Sequence, residues 1–251
     1  MKVFLLALQF LTIIPVKIEK VKEADIAASM VCFPFVGLLL GFLLAGINNL
    51  LLSLKFEELA VSIILIVSLI IFTGGLHLDG LSDTADALFS GKDKEKRLEI
   101  MRDSHAGVMG ILSLICVILL KIVFLSSINT SLKIVSLILM CTLSRWSLVF
   151  LMFLFPYARQ EGKAKVFIEK ANFKIFVLAT MIALVCSVIT WQLKGLFIIA
   201  ITSISAYAIG KFITNKIGGI TGDTLGAINE LTEVIILLSI CILERTNSWI
   251  I

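Results

Sequence analysis

Long apolar runs separated by short polar stretches dominate the chain. Runs over residues 30–54, 59–76, 107–128, 132–156, 173–192 and 195–213 each have the length of a bilayer crossing, and a shorter run follows at 231–243. A hydrocarbon core of roughly 30 Å takes about 20 residues of helix. The opening run, 3–16, has only about 14 residues and stops at Pro15, which fits an interfacial or re-entrant helix better than a crossing. Lys2 gives a thin basic start and no small-residue cleavage site follows, so the run does not read as a cleaved signal peptide. The pattern predicts an all-α fold: a polytopic integral membrane helical bundle of about seven spans plus a short N-terminal helix. It reads as one membrane-embedded domain over 1–251, with two polar loops, 73–110 and 211–233.

Composition agrees with this reading. Hydrophobic residues make up 59% of the chain and charged residues 16%, against roughly 45–50% and about 25% in soluble domains. Disordered, collagenous and disulfide-scaffold classes are excluded by the same figures. Fourteen Lys and Arg fall in the loops on one side of the predicted spans and four in those on the other. The positive-inside rule places the richer side, with both polar loops, in the cytoplasm, and hence the protein in the cell membrane. The net charge of +4 follows from this asymmetry and calls for no nucleic-acid partner. The five cysteines are single and lie in or beside apolar runs, without zinc or disulfide spacing.

Candidate chemistry concentrates in residues 73–110, TGGLHLDGLSDTADALFSGKDKEKRLEIMRDSHAGVMG. Asp79, Asp83 and Asp86 stand at i, i+4 and i+7, along one face of a helix. Like charges at that spacing repel, and a divalent cation is the economical compensation. Mg²⁺ is typically held by one or two carboxylates plus substrate phosphates. A simply solvated face is disfavoured, because small or apolar residues separate the acids. His77 reads as a proton acceptor, a metal ligand or an ordinary interfacial histidine, the last being the default for a lone His. Lys92, Lys94 and Lys96 read as topogenic charge, whereas Arg97 and Arg102 are candidates for phosphate contacts, with Asp103 available to orient a neighbour. Carboxylates, Mg²⁺ and basic groups together suit phosphoryl transfer.

A second polar cluster, GGITGDTLG over 218–226, lies on the same predicted side, followed by Asn229, Glu230 and Glu233. Gly218, Gly219 and Gly222, with Thr221, let backbone amides approach an anion at a helix start, although glycines also permit close helix packing in membranes. Asp223, Glu230 and Glu233 could form a second metal site or a substrate-facing site. Intramembrane acids are costly unless they meet a cation or donors. Arg145, mid-span, needs a partner for the same reason, while Lys121 lies nearer a span end and can snorkel.

Three segments, GGLHLDGLSDTADALFSG, RLEIMRDSHAGVMG and GGITGDTLGAINELTE, together resemble the cobalamin synthase family, whose members are also called adenosylcobinamide-GDP ribazoletransferases. ALQFLTIIPV, FPFVGLLLG, and Arg145 followed by PYARQEGK extend the resemblance over almost the whole chain. Ile13 stands where a basic residue is common in that family, and His105 where Arg is frequent. The resemblance implies joining of α-ribazole, or its 5′-phosphate, to adenosylcobinamide-GDP, with release of GMP and Mg²⁺ as cofactor. It implies catalytic roles for His77, Asp79, Asp83, Asp86, Arg102 and Asp103, the first three acids holding the metal. His105, Arg145, Arg159, the 218–223 loop, Asn229, Glu230 and Glu233 then fall on the substrate side. A homo-oligomer is left open.

Two other classes share some of these features. A CDP-alcohol phosphotransferase also places a DG-led aspartate motif at the membrane face, but its A-R pair and later G-x-x-x-D-x-x-x-D are absent here. A cation transporter would use intramembrane acids, but near the bilayer midplane, whereas these cluster at span ends.

Overall fold

The computed structural model describes residues 1–103 and 105–247. Their order is α1 (Lys2–Leu11), α2 (Glu23–Ser29), a 3-10 turn (Met30–Cys32), α3 (Phe33–Ser53), α4 (Glu58–Thr73), α5 (Leu76–Phe89) and α6 (Lys94–Ile100). Then come α7 (Val108–Ser127), α8 (Thr130–Leu154), α9 (Lys165–Lys170), α10 (Phe173–Ile217) and α11 (Gly222–Asn247). No strand forms among the described residues; one isolated bridge joins Tyr157 and Ile220.

Helix α8 is the axis of the bundle and is almost wholly buried. Helix α3 lies against it through Gly37 and Gly41, one turn apart. A Cβ on Gly41 would stand 2.7 Å from the Ile138 Cα, and one on Gly37 would meet the Cys141 carbonyl. Small residues at i and i+4 thus let two backbones touch, the usual basis of helix association in lipid. Helix α11 is the other buried element, while α7 and α10 present most of their apolar surface outward.

Two breaks shape the site. Gly74 (φ 62°) and Gly75 (φ 69°) both adopt the left-handed region, which glycine enters without steric cost. They end α4 and turn α5 by 91°. Helix α10 breaks at Trp191 and Gln192. Beyond the break, Gly195 lies directly against the Ser187 backbone. Eight residues of continuous helix would separate those positions by about 12 Å, so α10 is a hairpin of two apolar arms.

Five helices are long and apolar enough to cross a membrane, or six with the bent α4–α5 pair taken as one span. The chain is therefore a multi-pass membrane protein. With the α10 hairpin contributing two arms, this is consistent with the expected seven crossings. Helix α1 is short, as expected for 3–16, and ends at Leu11, with Thr12 extended after it. The expected last run, 231–243, is only the second half of α11. Its first turns, which include Asn229 and Glu230, are also helical and buried.

Candidate active site

The perpendicular α5 carries the acidic motif to the start of α11. At their crossing a Cβ on Gly80 would stand 2.5 Å from the Asp223 carbonyl oxygen, and one on Gly226 would stand 3.1 Å from the His77 carbonyl oxygen. Two glycines, one per helix, therefore bring His77, Asp79 and Asp83 against Asp223, though some 140 residues of chain separate the two motifs. Asp83 feels the fields of Asp79, Asp223 and Asp86, with Arg159 opposing them.

The loop before α11 is held by backbone pairing. Ala158 N–H donates to the Ile220 carbonyl and Ile220 N–H to the Pro156 carbonyl, both at 2.9 Å. This pairing carries Arg159 to Asp223, 2.7 Å away. Thr221 and Thr224 then cap α11 reciprocally: Thr221 N–H donates to Thr224 Oγ1 at 2.8 Å, and Thr224 N–H to Thr221 Oγ1 at 3.2 Å. Gly218 N–H is also engaged, by the Thr214 carbonyl at 2.7 Å. Four amides, those of Gly218, Ile220, Thr221 and Thr224, are thus committed to the local fold, which leaves those of Gly219, Gly222 and Asp223 as the ones suited to an anion at the start of α11.

These elements enclose a cavity of about 220 Å³ lined by Phe10, His77, Asp79, Lys163, Gly222 and Asp223, among others. A second, more open cavity of about 650 Å³ is lined by Gln9, Thr12, Gly75, Asp79, Ser82 and Ala106, among others. Phe10, Leu76 and Asp79 line both, so Asp79 stands in their shared wall. His77 is buried at 4% exposure. Its Nδ1 has no hydrogen-bond partner among the described residues.

Asp86 is placed differently from the other two acids. Its carboxylate accepts from Gly107 N–H at 2.7 Å and Gly110 N–H at 2.8 Å, capping α7 from a distance. Among the described residues no three metal-ligating side chains converge closely enough to hold an ion unaided. The set Asp79, Asp83 and Asp86 is therefore not a closed cage. The hard oxygens of Asp79, Asp83 and Asp223 nevertheless suit Mg²⁺ that arrives with substrate phosphates.

Glu230 and Glu233 meet protein cations. Lys121 Nζ lies 2.6 Å from Glu230 and also bonds Glu233, which pairs in turn with Arg145. Asn229 Nδ2 and Ser144 Oγ both donate to Glu233 Oε1, at 3.2 and 3.3 Å. Two acids and two bases form a closed, buried quartet. Lys121 does not snorkel: it is 3% exposed, because the acids of α11 face it across the bundle.

Arg102, Asp103 and His105 lie in an exposed loop. Asp103 and His105 pair with each other at 2.6 Å, which holds the Asp103 carboxyl below its usual range through that hydrogen bond. Arg102 is within electrostatic reach of Tyr157. Arg97 turns to the end of α10, where its Nη1 meets the Lys216 carbonyl at 3.4 Å. Lys163, a basic loop residue at the end of the PYARQEGK match and not singled out by spacing, lines the smaller cavity. Lys121 carried the plainer signal of an ionisable residue inside an apolar run.

Comparison with known proteins decides the family. The chain matches the cobalamin-5-phosphate synthase family over residues 3–241. It belongs to that family. An adenosylcobinamide-GDP ribazoletransferase of Caldanaerobacter subterraneus subsp. tengcongensis is 41% identical over 246 residues, covering 97% of this chain and 99% of the relative. Proteins of the same name from Desulforamulus reducens (37% identity; 91% of each chain) and a Thermoanaerobacter species (38%; 94% of this chain and 96% of the relative) are also similar. No solved structure matches the chain. In this member of the cobalamin-5-phosphate synthase family, two of the three motifs that carry the resemblance, those of α5 and of the start of α11, are brought together where these helices cross.

Proposed function

We propose that the protein transfers the adenosylcobinamide phosphate moiety of adenosylcobinamide-GDP to α-ribazole or its 5′-phosphate, releasing GMP. The observation that carries this reading is Asp79 in the wall shared by two cavities, an arrangement suited to joining two substrates at one acidic centre. A ribose hydroxyl of the ribazole, one that a 5′-phosphate leaves free, attacks the cobinamide-side phosphorus of the diphosphate. The new P–O bond forms as the bond to GMP breaks, and GMP leaves as its phosphate anion.

The chain's own residues orient the partners and move the proton. His77, which lines the smaller cavity and whose buried Nδ1 is left without a partner, accepts the hydroxyl proton. Lys163 and the first amides of α11 meet phosphate oxygens, with Arg159 held nearby on Asp223. Asp79 and Asp83, with Asp223 across from them, would hold Mg²⁺. Bound there, the ion neutralises charge on the diphosphate and on the departing phosphate. Asp86 supports the site by fixing α7. The basic loops set the site on the cytoplasmic face of the cell membrane.

A GMP-release assay with adenosylcobinamide-GDP and α-ribazole, run beside CDP-lipid controls in proteoliposomes, tests the reading. GMP release that requires ribazole supports it. Turnover of CDP-lipid without GMP release overturns it.

A further inference from the structure

The back of α5, away from the smaller cavity, borders a groove of about 620 Å³ between α5, α7, the second arm of α10 and α11. Leu88, Phe89, Val117, Leu120, Ile209 and Phe212 are among its lining residues, and no charged side chain lines it. Phe89 and Phe212 are 69% and 53% exposed, so the groove opens outward. Its volume is that of a ligand site rather than a packing defect.

One end of this groove is cationic. Lys216 Nζ lies over the Phe212 ring, 5.6 Å from its centroid. The Lys94 side chain reaches the same helix end, its Nζ 2.6 Å from where a Cβ of Gly218 would stand. Arg97 joins them through the Lys216 carbonyl and keeps a buried Nε without a partner. None of the three cations forms an ion pair among the described residues. Apolar walls under a cluster of cations at the interface complement one kind of molecule. We infer that this groove binds an anionic phospholipid, one acyl chain lying along α5 and α10 and the headgroup phosphate at Lys94, Arg97 and Lys216. The attraction is the one that basic residues near a bilayer surface exert on anionic lipid. Unlike the paired Lys121, these cations remain available to it.

The test uses the full-length protein in mild detergent and counts retained lipid by native mass spectrometry. Phosphatidylglycerol and phosphatidylcholine with identical chains are the probes. Wild type retains phosphatidylglycerol preferentially, and Lys94→Gln with Lys216→Gln weakens retention about fivefold per charge removed. Ala208→Phe, which fills the groove, removes both lipids. Should that variant fail to fold, Cys116 supplies a second readout, since it is exposed and lines the groove. An apolar maleimide modifies Cys116 more slowly in vesicles containing phosphatidylglycerol than in phosphatidylcholine alone, and the double lysine variant abolishes that difference. Equal retention of the two lipids by wild type overturns the inference. So does unchanged retention in the double variant with a raised KM for the nucleotide substrate, which would assign the lysines to substrate. A dimer dispersed by Ala208→Phe, with no lipid retained by wild type, would make the groove a contact between copies and also overturn it.

Discussion

Gly80 of α5 sits so close to Asp223 of α11 that a Cβ at position 80 would stand 2.5 Å from the Asp223 carbonyl oxygen and 2.9 Å from its Cα. The atoms it would meet are backbone, which cannot swing aside. The separation of the two motif helices is therefore set by the absence of a side chain.

Gly80→Ala should push α5 and α11 apart and misplace His77 and Asp79 relative to Asp223. Overpacking of this kind costs about 1–3 kcal/mol. A shift near 1 Å at a reacting centre lowers the rate by about a hundredfold. Gly46→Ala is the control, because nothing lies within 4 Å of a Cβ there. GMP release and thermal melting of both variants in the same detergent check the point. An active Gly80→Ala enzyme would show that the crossing does not set the site.

Asp79→Asn keeps the shape of the side chain and removes the charge in the wall between the cavities. Turnover should fall by roughly a hundred- to a thousandfold, with size-exclusion profile and helix content unchanged. Near-normal activity across a Mg²⁺ titration would remove Asp79 from the metal-holding set.

Much of the fold is written in hydropathy, and its misreadings have a physical cause. The two arms of α10 appear in the sequence as separate apolar runs, 173–192 and 195–213, and the break at Trp191 and Gln192 makes them the two arms of a hairpin. Hydropathy starts the last run only at 231, after Asn229 and Glu230, whereas Lys121 and Arg145 neutralise Glu230 and Glu233 within the bundle and let the helix begin earlier. The start of α11 was hidden for that reason. Spacing along α5 correctly groups Asp79 and Asp83 on one face. It cannot distinguish a carboxylate facing a cavity from one capping another helix, and Asp86 is the second kind. Lys163 stands in the PYARQEGK match and among the basic loop residues, but only the pairing of residues 156–158 with Ile220 shows where its loop is anchored.

The buried quartet should respond to charge balance rather than to the loss of any one bond. Glu233→Gln leaves Lys121 and Arg145 facing Glu230 alone, an excess positive charge at a site where Arg145 and Glu233 are both 0% exposed. Breaking a buried pair this way costs about 3–5 kcal/mol. Adding Arg145→Met leaves the Lys121–Glu230 pair balanced and should recover most of that loss. Denaturant or thermal unfolding of the single and double variants reads the difference. A double variant less stable than Glu233→Gln would show that packing around Arg145, not charge balance, dominates.

Asp86→Ala separates the role of a cap from that of a metal ligand. Both Asp86 oxygens accept from the first turn of α7, and Gly107 and Gly110 leave the space that admits the carboxylate. Losing such a cap costs about 0.5–2 kcal/mol, so the variant should melt earlier and exchange the amide protons of Gly107 and Gly110 faster. The Mg²⁺ concentration for half-maximal activity should stay where it is in the wild type. Asp83→Glu, which shifts a carboxylate neighbouring Asp79 and Asp223 without removing its charge, should raise that concentration instead. If Asp86→Ala raises it to the same degree, Asp86 belongs with Asp79 and Asp83 as a ligand, and the hydrogen bonds to α7 are secondary.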